Sequence, residues 1–357
     1  MKKKTIVFIS LIIIFALIAV ALIVLIPKVK GYLPYYYDKN GKNQEDKPYT
    51  LTIDKSDFEN EVATRLAENG VICSSVRFLN YIKTNYPDFV WYNGIYHLNA
   101  NMSYKQLCEA LMEPDVKLDY VKIVIPEGKT VREIADIVAQ SGLCSAEEFL
   151  EATDSYDYDY SFMKELKSRD QSLIGYKLEG YLFPATYEFR ADTVTPQMIV
   201  DKMLKTFSEY VTDEMIQNAD TMGLSVNEFV SLASVIQDEA FGEESMSGVS
   251  SVFWNRLNST GMRMLQSDPT MFYADDLKEL PHYSSAMKKA YSTYSCIGLP
   301  VGPTNCPGVD ALNAVLNPAD TDYYYFVTDK NGKFYFNKTL ADHNKTIRSL
   351  KIQGLWA

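Results

Sequence analysis

Histidine is scarce and cysteine unpatterned in this 357-residue chain, and each shortage closes off a class of chemistry. The three histidines (His97, His282, His343) and five cysteines (Cys73, Cys108, Cys144, Cys296, Cys306) form no CxxC pair and no zinc-like cluster. No metal and no organic cofactor are therefore expected. An odd cysteine count leaves at least one thiol unpaired within the chain. Cys296 and Cys306 could close a loop, and buried free thiols fit the spacing equally well. Excess positive charge is missing too. The net charge is −11, five of the 35 basic residues fall in the first 30 positions, and all 46 acidic residues lie beyond them. Nucleic acid is held mainly through Lys and Arg contacts to phosphate, so this balance argues against a nucleic-acid partner. No collagen, coiled-coil or solenoid period is present.

What is present begins with an apolar run at residues 5–27 that carries no charge and follows Lys2-Lys3-Lys4. About 20 apolar residues span a bilayer as a helix. No A-x-A pattern follows the run before Lys28, so an uncleaved anchor is expected rather than a cleaved signal peptide. Basic residues on both sides favour a cytoplasmic N-terminus only modestly. The expected organisation is a cytoplasmic stub and transmembrane helix at 1–27, a polar linker at 28–47, a membrane-proximal α/β region at 48–160 and a larger domain at 161–357.

Within the α/β region, YTLTI (49–53) and GIYHLN (94–99) read as strands, and residues 56–68 and 74–85 as helices. Asn69-Gly70 closes the first helix. Ser103 is placed to cap the next helix, and Thr130 with Glu133 forms a capping box opening VREIADIVAQSG. The larger domain mixes helices with the strand-like YLFPATYEF and DYYYFVT, which gives an α+β fold class.

The most informative segment is SVNEFVSLASVIQDEA (225–240). Ser225 and Glu228 form a capping box, and Phe229, Leu232, Ala233, Ile236 and Ala240 trace an apolar stripe. At about 100° per residue Glu239 falls on the edge of that stripe and Asp238 on the solvated side. A carboxyl half-buried against apolar groups has its charged form disfavoured and can act as a proton donor near neutral pH. A structural pairing with Arg256 or Arg263 fits the pattern as well. Downstream, Gln266, Ser267, Asp268 and Thr270 gather donors and acceptors of the kind a sugar site requires, although Asp268 and Thr270 also suit the cap of a helix. Tyr294 and the stretch GLPVGP (298–303) suit either a groove wall or rigid loop packing.

EGYLFPATYEF, LASVIQDEA, VFWNRL, LQSDPT, YSTY, GLPVGP, YYFVT and ADHN occur in an order that resembles the MltG (YceG-like) family of endolytic murein transglycosylases. The resemblance covers nearly all of the chain beyond the anchor. It implies that IPEGKTVREIADIVAQSG belongs to a LysM-like membrane-proximal segment. It also implies that Glu239 matches the family's catalytic glutamate, and that Glu179, Gln266, Ser267, Asp268, Thr270 and Tyr294 contact substrate. The family's E-K-E segment reads Gln237-Asp238-Glu239 here, and Phe334 stands where some members have a histidine. The implied reaction cleaves the bond between N-acetylmuramic acid and N-acetylglucosamine without water, outside the cytoplasm at the membrane. Peptidoglycan strands are the implied substrate, with peptidoglycan synthases and division proteins as partners. Two other readings stay open: a non-catalytic peptidoglycan-binding scaffold, and a muramidase-type hydrolase with Asp268 as a second carboxylate about 5–9.5 Å from Glu239.

Overall fold

The structure is a computed structural model that describes residues 35, 38–40 and 46–356. The apolar run expected to anchor the chain lies outside the described residues. Among those described, no helix is long and apolar enough to cross a membrane. The chain divides into two compact units between Asp119 and Tyr120.

In the first unit, β1 (Pro48–Ile53) pairs antiparallel with β2 (Gly94–Asn99), Pro48 opposite Asn99 and Ile53 opposite Gly94. Helices α1 (Glu59–Glu68) and α2 (Ser75–Asn85) lie between the strands in sequence, and α3 (Tyr104–Leu111) follows them. Strand alternation turns Leu51, Ile53, Tyr96 and Leu98 inward, onto Leu66, Phe78 and Leu107. The Ser103 cap forms as expected: its hydroxyl accepts the Gln106 N–H at 3.3 Å.

In the second unit, β3 (Tyr120–Val124) pairs antiparallel with β4 (Thr186–Arg190). Between them come α4 (Val131–Gln140), α5 (Ala146–Thr153) and α6 (Met163–Ser168). The stretch 120–160 was grouped in sequence with the residues before it. Its Ile123, Ile134, Val138 and Phe149 instead share one core with Tyr187, Leu204 and Leu232. YLFPATYEF is strand only over its second half. Pro184 has no N–H to give a ladder, and Gly180 turns the chain at φ 88. After α7 (Pro196–Tyr210) and α8 (Asp213–Thr221) come α9 (Val226–Glu239), α10 (Glu243–Leu257), α11 (Asp268–Asp276), α12 (Ser285–Tyr291) and α13 (Val309–Leu316). The antiparallel pair β5 (Tyr325–Thr328) and β6 (Phe334–Asn337) is covered by α14 (Leu340–Ile352). The described residues thus form a mixed α+β fold, mostly helical with small two-stranded sheets.

Helix α9 departs from the amphipathic expectation, because every residue from Phe229 to Ile236 is buried. Its serines make this possible by bonding to their own helix. Ser231 donates to the Asn227 carbonyl at 2.6 Å and Ser234 to the Ser231 carbonyl at 2.8 Å. Ser234 Oγ also accepts the Thr304 N–H at 3.1 Å, and Asn305 donates to the Ser234 carbonyl at 2.9 Å. Helices α10 and α13 pack on this apolar rod. All five cysteines are unbridged, Cys306 in the core.

Gly180 ties the EGYLFP turn to the GLPVGP loop. A Cβ there would meet Pro303 Cβ at 2.4 Å, on a backbone that L side chains resist. Gly180→Ala is expected to lower unfolding stability by about 1–3 kcal/mol, read by chemical denaturation.

Candidate active site

Helix α9 delivers its last residue, Glu239, to a cavity of about 350 Å³. The walls come from α10 (Arg256), the turn carrying Gln266 and Asp268, Tyr294, strand β5 and the α14 side chains Leu340 and His343, with Trp356 just beyond. Glu239 is half-buried, and burial raises its pKa above the usual carboxylate range. The Asp268 charge adds to this rise, while Ser267 and Arg256 oppose it. A helix C-terminus carries partial negative charge, which further disfavours a carboxylate there.

Arg256 is almost fully buried, and burial lowers its pKa. It donates from Nε to the Tyr324 carbonyl at 2.8 Å and from Nη1 to the Leu265 carbonyl, and its guanidinium lies 5.6 Å from the centroid of Tyr325. The alternative pairing of Glu239 with an arginine is thus realised only as a shared cavity. Among the described residues Arg256 forms no ion pair, and Arg263 lines a separate cavity of about 900 Å³. That second cavity also takes Gly298 to Val301 of the GLPVGP stretch, so those residues do not wall the Glu239 site.

Arg256 and Thr293 together hold the 265–267 turn. Gln266 has φ 53, the single positive φ outside glycine among the described residues, a conformation that costs energy and concentrates at functional sites. The Gln266 N–H donates to the Thr293 carbonyl at 3.2 Å, and the Ser267 N–H to Thr293 Oγ1 at 2.8 Å. Ser267 precedes α11 at the N-cap position, where a serine hydroxyl ordinarily accepts a helix N–H, yet it makes no such bond. The hydroxyl is buried beside the Glu239 carboxyl and eases its ionisation, but the geometry falls short of a full hydrogen bond.

Gln266, Asp268 and Tyr294 therefore share the cavity with Glu239, and the Ser267 hydroxyl abuts the acid. The Tyr294 hydroxyl donates to Asp268 at 2.6 Å. Two expected substrate-binding residues are placed otherwise. Thr270 is fully buried, donating to the Ser267 carbonyl at 2.7 Å and bonding Thr293 Oγ1 at 2.8 Å, so it builds the turn. Glu179 is also fully buried, accepting the Val131 N–H at 2.9 Å and the Tyr273 hydroxyl at 3.0 Å. It joins the start of α4 to α11, and no face of it is left for a glycan. Asp238 is accessible as expected, but burial around its carboxyl and the neighbouring Glu239 push its pKa up to about 7.

The model of the YceG-like family matches residues 51–349. The chain belongs to that family. An endolytic murein transglycosylase of Bacillus subtilis is 31% identical over 310 residues, covering 83% of this chain and 82% of that protein. One from Streptococcus pneumoniae serotype 2 is 30% identical over 358 residues, covering 89% of this chain and 62% of its own length. A crystal structure of a yceG-like protein from Listeria monocytogenes is 31% identical with a TM-score of 0.54, covering 85% of this chain and 100% of that one.

Sequence reasoning on this YceG-like chain assigned no role to His343, Tyr325 or Trp356, which lie 86 or more positions beyond Glu239. The ADHN motif carries His343 and the YYFVT motif carries Tyr325, while no motif reaches Trp356.

Glu179 generates a pH prediction. Burial pushes its pKa from 4.5 up to about 8. Between those values the folded chain keeps the proton that the unfolded chain releases, so stability falls as pH rises. Denaturant midpoints measured from pH 4 to pH 9 are expected to decline, and Glu179→Gln to flatten that decline while retaining the Val131 hydrogen bond.

Proposed function

We propose that this chain is an endolytic murein transglycosylase, with Glu239 as its single acid–base group. The observation that carries the reading is a half-buried carboxyl of raised pKa at a helix C-terminus, in a cavity it shares with Gln266, Asp268 and Tyr294. Raising the pKa of such an acid favours its protonated form, which can hand its proton to a leaving oxygen.

In the proposed reaction Glu239 protonates the oxygen bridging N-acetylmuramic acid to N-acetylglucosamine. The C1–O bond breaks and its electron pair stays with the departing oxygen. The sugar's own 2-acetamido group eases the positive charge left at C1. Glu239, now a carboxylate, takes the proton from the muramyl C6 hydroxyl as that oxygen bonds C1. The product is a 1,6-anhydromuramyl end, and no water is consumed. The strand–helix–helix–strand order of the first unit supports a glycan-holding role for it, while IPEGKTVREIADIVAQSG, the segment read as LysM-like, packs in the second unit around α4. The apolar run at 5–27 supports a membrane-anchored, extracytoplasmic enzyme that trims nascent strands and so terminates their growth. Peptidoglycan synthases and division proteins are the partners such a position implies.

Asp268 favours a second reading, because it shares the cavity with Glu239. Two carboxylates flanking a glycosidic bond are the machinery of hydrolysis. Digestion of purified peptidoglycan, with products read by mass spectrometry, separates the two. Anhydromuramyl ends are expected, and reducing ends would establish the hydrolase. Glu239→Gln is expected to slow release about 10²–10⁴-fold. No products from either protein would leave the scaffold reading standing, and equal products from both would remove Glu239 from the chemistry.

A further inference from the structure

Helix α14 ends in a Schellman turn. The Gly354 N–H bonds the Lys351 carbonyl at 3.1 Å, the Leu355 N–H bonds the Leu350 carbonyl at 2.9 Å, and Gly354 has φ 70. Glycine adopts that backbone without strain, so it fixes the direction in which the chain leaves the helix. The Leu355 carbonyl then accepts the Lys330 N–H at 2.9 Å, which ties the turn to the loop between β5 and β6. Trp356 is thereby held half-buried in the wall of the Glu239 cavity. The Lys351 ammonium lies 5.5 Å from the centroid of its ring. Yet the indole belongs to none of the hydrophobic clusters among the described residues. A large aromatic side chain braced at a cavity wall and unused by a core is suited to stack on a ligand.

A second observation lies on the same element. His343 lines the cavity, and its Nδ1 is buried without a hydrogen-bond partner. Its ring sits 5.5 Å from that of Tyr325. Burial, then the Arg256 charge, lower its pKa and favour the neutral imidazole. An unpaired buried nitrogen costs stability until something pairs with it. Together the two groups match a pyranose ring, whose C–H face is apolar and whose rim carries hydroxyl and acetamido groups.

We propose that Trp356 and His343 form a saccharide subsite beside Glu239, Trp356 stacking on one sugar ring and His343 hydrogen-bonding to its rim. The subsite takes an N-acetylated hexosamine, an identity that rests on the murein reading above.

The test uses the full chain carrying Glu239→Gln, so that sugar is bound and not cut. The probe is the tetrasaccharide of alternating N-acetylglucosamine and N-acetylmuramic acid, titrated by calorimetry. Trp356→Ala and His343→Ala are each expected to weaken binding about tenfold, and Trp356→Phe to restore most of it. Circular dichroism checks that each variant keeps its helices, and the phenylalanine variant serves if the alanine variant does not fold. Equal affinity in the parent and Trp356→Ala, loss in both the alanine and phenylalanine variants alike, or no binding by the parent would overturn the subsite. Cleavage by the acid-intact chain is measured alongside. If tetrasaccharide binding depends on Trp356 but no strand is cut, the subsite stands and the transglycosylase reading falls. If the parent cuts strands and Trp356→Ala cuts them with unchanged KM, the transglycosylase reading stands and the subsite falls.

Discussion

Helix α9 is enclosed on every side from Phe229 to Ile236, and the placement of Glu239 depends on that enclosure. A helix buried all round offers no surface to water, so each of its polar side chains needs a partner inside the protein. Ser231 and Ser234 find partners on the helix itself and on the loop that follows Pro303. Because nothing along the rod is left loose, its C-terminal end is fixed, and the carboxyl of Glu239 is held where burial raises its pKa. The strained Gln266 turn and buried Arg256 act on the same point from the other side. Arg256 bonds backbone carbonyls of both the 265–267 turn and the 323–325 segment, joining two walls of the cavity through one planar group.

Local chemistry was legible in the sequence, and burial was not. The capping boxes at Ser103, Thr130 and Ser225, and strands β1 and β2, follow from residues within a few positions of each other. The periodicity of α9 gave a single stripe because serine reads as polar, and only the structure shows its hydroxyls turned back onto the helix. Glu179, expected to contact substrate, is buried instead, and nothing near it in sequence announces Tyr273, 94 positions away. Within the 266–270 turn, composition pointed to sugar chemistry but could not sort the side chains. Gln266 and Asp268 line the cavity, while Thr270 is consumed in holding the turn. Tyr325 and His343 enter the site through the β5–β6 pair and α14, a contact that no spacing rule reaches.

The acids around the site are not equivalent. Glu179 sits at the start of α4, where the helix dipole and the Val131 N–H favour its charge, yet complete burial outweighs both. It acts as a structural pin. Asp268 accepts a hydrogen bond from Tyr294 in the cavity, in the first turn of α11, where a negative charge is favoured. Glu239 lies at the opposite kind of helix end, where a negative charge is disfavoured. Burial and its place at a helix C-terminus thus both raise the pKa of Glu239, the direction that suits a proton donor.

The same reasoning accounts for the segment that departs from the family pattern. Gln237 accepts the Gly308 N–H at 2.8 Å, a role a glutamate would fill as well, so the exchange keeps the bond and removes a charge. That removal matters because the Glu127 carboxyl lies directly against Gly308. A glutamate at 237 would place a further negative charge on that neighbourhood. The middle position changes in the opposite sense, from lysine to Asp238. A cation next to Glu239 would favour its ionised form and draw its pKa down. Asp238 exerts no such pull, and with its own pKa pushed up to about 7 it carries only part of a negative charge near neutral pH. The exchange at 237 removes a negative charge and that at 238 replaces a cation by an acid, so the change at 238 is the one that favours the proton on Glu239.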